Sequence, residues 1–207
     1  MAEGKKGFER TSSIKEMLMK KIVIYLVLLL GMVSAVPAFS NEPGATAEIL
    51  PDLTLTVPEN DSYIKYLGLT GKKGESFALT DIQADILLIE LFSMYCPFCQ
   101  NEAPIVNELY EKMEEVSKKG PIVKIIGLGA SNSQFEVDHF KKTYNVPFPL
   151  FPDQDMSMYK ALAGEGTPGF IGCRIDNDGK ATIVLRNSGG FYSADDFLKE
   201  LIKSGGL

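Results

Sequence analysis

Histidine is nearly absent from this 207-residue chain. His139 stands alone, which excludes any site built on two or more imidazoles, such as the HExxH zinc hydrolases. Cysteine is scarce as well, and three are too few for a small disulfide-stapled domain. Eleven prolines and nineteen glycines do not make a low-complexity chain. Basic residues are the minority: 21 Lys and Arg face 27 Asp and Glu, a formal net charge of −6. A general nucleic-acid binder would carry a basic excess. No apolar run reaches the roughly 20 residues that a membrane-spanning helix needs. What remains is ordinary globular composition, 45% hydrophobic and 23% charged, with length for one domain plus an appendage.

The appendage is N-terminal. Lys20 and Lys21 precede the uncharged run IVIYLVLLLGMV at 22–33, and SAVPAFS follows with small residues at Ala38 and Ser40. A basic segment, a short apolar segment and an A-x-S site together read as a signal peptide cleaved after Ser40, or as an uncleaved anchor. No cysteine follows the run, which argues against a lipid anchor. Residues 1–16 are polar and precede Met17 and Met19, and they are set aside from fold reasoning. The division expected is a leader and signal or anchor over 1–40 and one domain over 41–207. That domain holds 15 Lys and Arg against 24 Asp and Glu, so it is acidic and, on this reading, exported.

Residues 41–47 read as a flexible lead, and 48–82 as short and irregular. In SFALT (76–80) Phe77 and Leu79 alternate as on a half-buried strand, and Gly71 to Gly74 around two lysines reads as a hairpin turn. ILLIELF (86–92) is apolar on both faces apart from Glu90, the pattern of a central strand. A helix opens at Pro97, with Ile105, Val106, Leu109, Met113 and Val116 at helical spacing, and Gly120-Pro121 stops it. IVKIIGLGA (122–130) is a second buried strand. Ser133 with Glu136 is a capping box for a helix reaching Tyr144. Pro147, Pro149 and Pro152 suggest an extended link, followed by a short helix over 156–162. Strands over 169–175 and 181–186 flank the turn Asn177-Asp178-Gly179, and Ser193 with Asp196 caps a last helix. The order is βαβα, then a ββ hairpin and a final helix, so parallel and antiparallel pairing share one sheet.

The chemistry concentrates at Cys96-Pro97-Phe98-Cys99, which follows a buried strand and opens a helix. The thiolate is the reactive form of cysteine, and free N–H groups at a helix N-terminus stabilise an anion. Cys96 is expected at the cap with a lowered pKa, and Cys99 one turn in and more sheltered. A zinc half-site would need Cys173 and His139 to converge on the pair. A haem site would need histidine where Gln100 stands. A purely structural disulfide across one helical turn closes too short a loop to stabilise much. Cys173 reads as buried and inert, and His139 as a solvated helix residue. A carboxylate at Glu90 is costly to bury unpaired. Desolvation should raise its pKa and let it exchange a proton with Cys99.

The segment from Glu90 to Pro104, ELFSMYCPFCQNEAP, resembles the thioredoxin active-site segment. An acid lies six positions before the first cysteine, Tyr95 stands where that family usually has Trp, and Pro104 falls five after the second cysteine. Glu102-x-Pro104 is similar to the TlpA/ResA-like branch, and so is the region from Phe151 to Lys180 that contains Thr167-Pro168. The resemblance implies an α/β thioredoxin-like fold, a central mixed β-sheet flanked by helices. It also implies an N-terminal extension and an insertion before a cis-proline at Pro168. It implies a periplasmic or otherwise extracytoplasmic thiol–disulfide oxidoreductase, a reductase of protein clients. Cys96 would attack, Cys99 would resolve with help from Glu90, and Tyr95, Pro97, Phe98, Thr167 and Pro168 would contact the client. Clients such as apocytochrome c thiols and an upstream membrane electron donor are implied as partners. No cofactor or metal is implied, and membrane contact only through an uncleaved N-terminal segment. The spacer Pro97-Phe98 lacks the proline that reducing thioredoxins commonly carry before the second cysteine, which leaves the direction of electron flow open. The rival reading is a binding module, either docking without turnover or delivering copper. Copper-carrying relatives show CxxxC, one residue longer than the spacing here.

Overall fold

The structure is a computed structural model, and it describes residues 48–207. The expected leader and signal or anchor over 1–40, and the lead to 47, lie outside the described residues. Strands β1 (Thr54–Thr56) and β2 (Ser76–Ala78) form a small antiparallel pair around helix α1 (Asp61–Leu67). Then follow β3 (Ile86–Phe92), α2 (Pro97–Ser117), β4 (Val123–Ala130), α3 (Gln134–Tyr144), β5 (Leu150–Asp153), α4 (Ser157–Ala161), β6 (Gly169–Ile175), β7 (Ala181–Ser188) and α5 (Ala194–Ser204). The main sheet runs β5-β4-β3-β6-β7. β3, β4 and β5 are mutually parallel, while β6 is antiparallel to β3 and β7 to β6.

β3 is central because its sequence permits nothing else: all seven residues are buried, so both faces need cover. Ile86, Leu88 and Phe92 turn to one face, where Val106, Leu109 and Met113 of α2 and Phe197, Leu198 and Leu201 of α5 pack on them. Leu87, Ile89 and Leu91 turn to the other, against Leu55, Phe77, Leu79 and Leu162. The N-terminal β1–α1–β2 unit thus lids one face of the sheet, and α2 and α5 cover the other.

Three details correct the sequence reading. The Gly71–Gly74 turn does not join two paired strands, because β2 pairs with β1 and α1 intervenes between them. Helix α1 itself was not expected. Asn60 caps it by accepting a hydrogen bond from the Ser62 N–H, and Gly68, at φ 73°, ends it in the left-handed conformation that glycine adopts freely. The proline-rich link contains a strand, β5, at the margin of the sheet. Its Pro152 is tolerated there because an edge position lacks a partner for the missing N–H.

β5 covers only Gly127–Ala130 of β4. Beside the uncovered half, Tyr66 of α1 stands in for a strand. Its hydroxyl accepts from the Ile125 N–H at 2.8 Å and donates to the Ile125 carbonyl at 3.3 Å. Tyr110 packs on the ring, with centroids 5.8 Å apart, and Lys124 lies over it.

Candidate active site

Cys96 is the N-cap of α2, and Pro97 fills the first helical position, where its missing N–H costs nothing. The Cys99 N–H points back to Cys96 Sγ at 3.4 Å, and Cys96 Sγ donates to the Thr167 carbonyl at 3.1 Å. Both thiols are free. Partial burial alone would raise the Cys96 pKa, but hydrogen bonds from the Thr167 side chain, from Cys99 and from the Phe98 backbone to the sulfur outweigh it and hold the thiol below its ordinary value. Cys99 is fully buried. Desolvation pushes its pKa strongly up, and the nearby Cys96 and Glu90 charges push the same way. The cap position separates the two thiols into an accessible, more acidic one and a sheltered, protonated one.

The Thr167–Pro168 peptide bond is cis. The Thr167 carbonyl meets Cys96, while the Pro168 carbonyl accepts from the Gly189 N–H. Tyr95 and Phe98 are exposed, at 64% and 73%. Tyr95 donates its hydroxyl proton to Glu136, the residue that closes the α3 capping box through the Ser133 N–H at 2.7 Å.

Glu90 shares the α2-facing side of β3 with Leu88 and Phe92 and is 3% exposed. Burial, then repulsion from Glu102, pushes its pKa up to about 8. Glu102 itself is half-buried and raised by desolvation, partly offset by the hydrogen bond it accepts from the Phe191 N–H at 2.7 Å. Gly190 makes that approach possible, since a Cβ there would lie 1.9 Å from Glu102 Oε2.

The structure therefore gathers Glu90, Tyr95, Cys96, Pro97, Phe98, Cys99, Thr167 and Pro168 at one end of the sheet. Cys173 is elsewhere, buried on the opposite face among Leu87, Ile89 and Ile171, with burial raising its pKa to about 12. His139 is exposed on α3. The ligand set that a zinc site would need is not brought together.

Sequence reasoning missed Asn132. It is fully buried, accepts from the Met94 N–H at 2.7 Å and so fixes the loop leading to Cys96. Gln100 holds the same loop by donating to the Met94 carbonyl at 2.8 Å. Ser-Asn-Ser before a capping box reads only as a turn, so Asn132 carried no signal. Glu102 did carry one, an acid one turn beyond Cys99.

A buried strand delivering a capped, asymmetric dithiol beside a cis-proline defines a thioredoxin-like thiol–disulfide oxidoreductase. The pattern of the AhpC/TSA family matches residues 47–187, and the chain belongs to that family. It is similar to the thiol-disulfide oxidoreductase ResA of Bacillus anthracis, 30% identical over 134 residues that cover 64% of this chain and 73% of the relative. The ResA of Halalkalibacterium halodurans is 28% identical over 133 residues, 63% of this chain and 70% of the relative. In fold it is similar to a thioredoxin-family thiol:disulfide interchange protein from Chlorobium tepidum. The TM-score is 0.54 at 17% identity, covering 79% of this chain and 99% of the other.

Proposed function

We propose that this oxidoreductase is exported and works as a reductase of protein disulfides outside the cytoplasm. The observation that supports the direction is the lack of a cation beside either thiol. A strong oxidant of this class owes its potential to a stabilised thiolate in its reduced form. Here only hydrogen bonds favour the Cys96 thiolate, no lysine, arginine or histidine charge acts on either sulfur, and burial with the Glu90 charge disfavours the thiolate at Cys99. The basic, apolar and small-residue succession over 20–40 supports export, as cleaved signal or as anchor. Among the described residues no helix is long and apolar enough to cross a membrane.

The reaction is two exchanges. The Cys96 thiolate attacks one sulfur of a client disulfide, forming a Cys96–client bond and releasing the other client sulfur as thiolate. Cys99 then loses its proton and attacks Cys96 Sγ. The Cys96–Cys99 disulfide forms, and the client leaves as a dithiol with the two electrons and two protons. In its ionised form Glu90, beneath Cys99, takes up the Cys99 proton in this step and passes it to the departing client thiolate, while the client's second proton comes from solvent, which received the Cys96 proton. Tyr95, Pro97, Phe98, Thr167 and Pro168 frame the sulfur that is attacked. An upstream dithiol donor at the membrane restores the reduced pair, and apocytochrome c cysteines are clients of the right chemistry.

Equilibration with glutathione tests the direction. The expected potential lies nearer the about −270 mV of a reducing thioredoxin than the about −120 mV of a strong oxidant. Dithiol-driven insulin reduction should accompany it. A potential near the oxidising value without insulin reduction would overturn the reading.

A further inference from the structure

Seven large apolar side chains are exposed among the described residues, and four of them stand on segments tied to the Cys96 end of the sheet: Tyr95, Phe98, Phe135 and Tyr192. They come from separate segments. Phe135 precedes Glu136, the partner of the Tyr95 hydroxyl, and so stands on the α3 side. Tyr192 follows Phe191, whose N–H is bonded to Glu102, and so stands on the opposite side, where the Gly189 N–H reaches Pro168. Phe135 is 78% exposed and Tyr192 wholly so. A concentration of exposed aromatic rings at one end of a soluble domain marks a surface that meets another molecule.

The charges around this arc have one sign. Residues 93–104, 131–136, 163–169 and 187–193 contain Glu102, Glu136 and Glu165 and no lysine or arginine. Arg186 lies near enough to Glu165 to feel its charge, but it is already engaged by Glu48 at 2.6 Å and by the Leu162 carbonyl at 2.8 Å.

We infer that the arc formed by Phe135, Tyr95, Phe98 and Tyr192 is a docking surface for an extended client segment that carries its disulfide among lysine or arginine and aromatic or aliphatic residues. The inference rests on the reading of Cys96 as the attacking thiol and names the client class that thiol meets. The rings supply apolar contact on side chains with few rotamers to freeze, and their faces attract cations. The acidic rim raises the encounter rate of a basic segment and rejects an acidic one.

The test uses the full, pre-reduced chain and synthetic peptides with one internal disulfide. One peptide is flanked by Lys and Tyr, one by Glu and Tyr, and one by Lys and Ala. A small uncharged dialkyl disulfide reports thiol reactivity separately. Stopped-flow rates should favour the Lys/Tyr peptide over the Glu/Tyr peptide at least tenfold at low salt. That ratio should collapse as ionic strength rises from about 20 mM to about 0.5 M. The Lys/Tyr peptide should also exceed the Lys/Ala peptide several-fold. Glu165→Lys should shrink the charge preference, and Phe135→Ala combined with Tyr192→Ala should shrink the aromatic one. Reduction of all three peptides at one rate, with the small disulfide also reduced, overturns the docking inference and leaves the reductase reading standing. Reduction of none of the peptides nor the small disulfide overturns both.

Discussion

Cys96 Sγ lies 3.1 Å from the Thr167 carbonyl oxygen, although 71 residues separate them in the chain. The sulfur is thus held at the mouth of the site, beside a backbone that ends at a cis-proline, while Cys99 is sealed behind it. Cys99→Ser should accumulate a mixed disulfide between Cys96 and a client, and Cys96→Ser should accumulate none. Non-reducing gels after mixing with a disulfide client check this. Equal trapping by the two variants, or trapping by Cys96→Ser alone, would overturn the assignment.

Glu90 supplies a kinetic and a thermodynamic prediction. Glu90→Gln should slow resolution of the mixed disulfide more than its formation, and stopped-flow rates of the two steps would show the difference. The native pKa is about 8, above the ordinary 4.5. Between those values the unfolded chain has released the proton and the folded chain has kept it, so stability falls as pH rises through the window. The contribution is fully present below the unfolded value and gone above the folded one. The variant should lose this slope, which urea denaturation at pH 4.5, 6 and 8 would reveal. Parallel pH profiles for the two proteins would place the Glu90 carboxyl in solvent.

Cys173→Ala should turn over at the wild-type rate. The thiol is buried across the sheet from Cys99, and a raised pKa keeps it protonated. A tenfold loss with folding intact, about 1.4 kcal/mol in the barrier, would make it a redox participant.

Asn132→Ala should release the Met94 N–H from its buried acceptor. Stability should drop by about 1–3 kcal/mol, the cost of leaving such a group unpaired. The attack rate of Cys96 should drop with it, because the loop at 93–95 loses an anchor. Denaturation midpoints and single-turnover rates report the two effects separately.

Tyr66→Phe removes one oxygen that serves two backbone groups of Ile125. The ring contacts stay, so the loss isolates the hydrogen bonds. About 1–3 kcal/mol of stability should go, read as a lower urea midpoint with an unchanged slope.

The parts of this molecule legible from sequence were those whose cause is local. ILLIELF announces a doubly covered strand, and β3 has those bounds. Ser133 and Glu136 announce the start of α3, and the Glu136 carboxylate does meet the Ser133 N–H. The cysteine pair announces its own helix. What escaped depends on chain segments far apart. β5 is four residues including Pro152, and only its register against β4 makes it a strand. Asn132 matters through a backbone 38 residues away. That distance leaves no trace in spacing or periodicity.

The Tyr66 hydroxyl has a meaning beyond its two hydrogen bonds. An open length of β4 would be a template on which a strand of another molecule could grow. To add there, that strand must evict a ring wedged between Tyr110 and Lys124. A side chain from a short helix thereby guards the half of this margin that β5 leaves bare. The guard arrives only when α1 has docked. Until then the sheet is sticky along that line, and α1 is the element whose late or failed docking would turn single chains into aggregates.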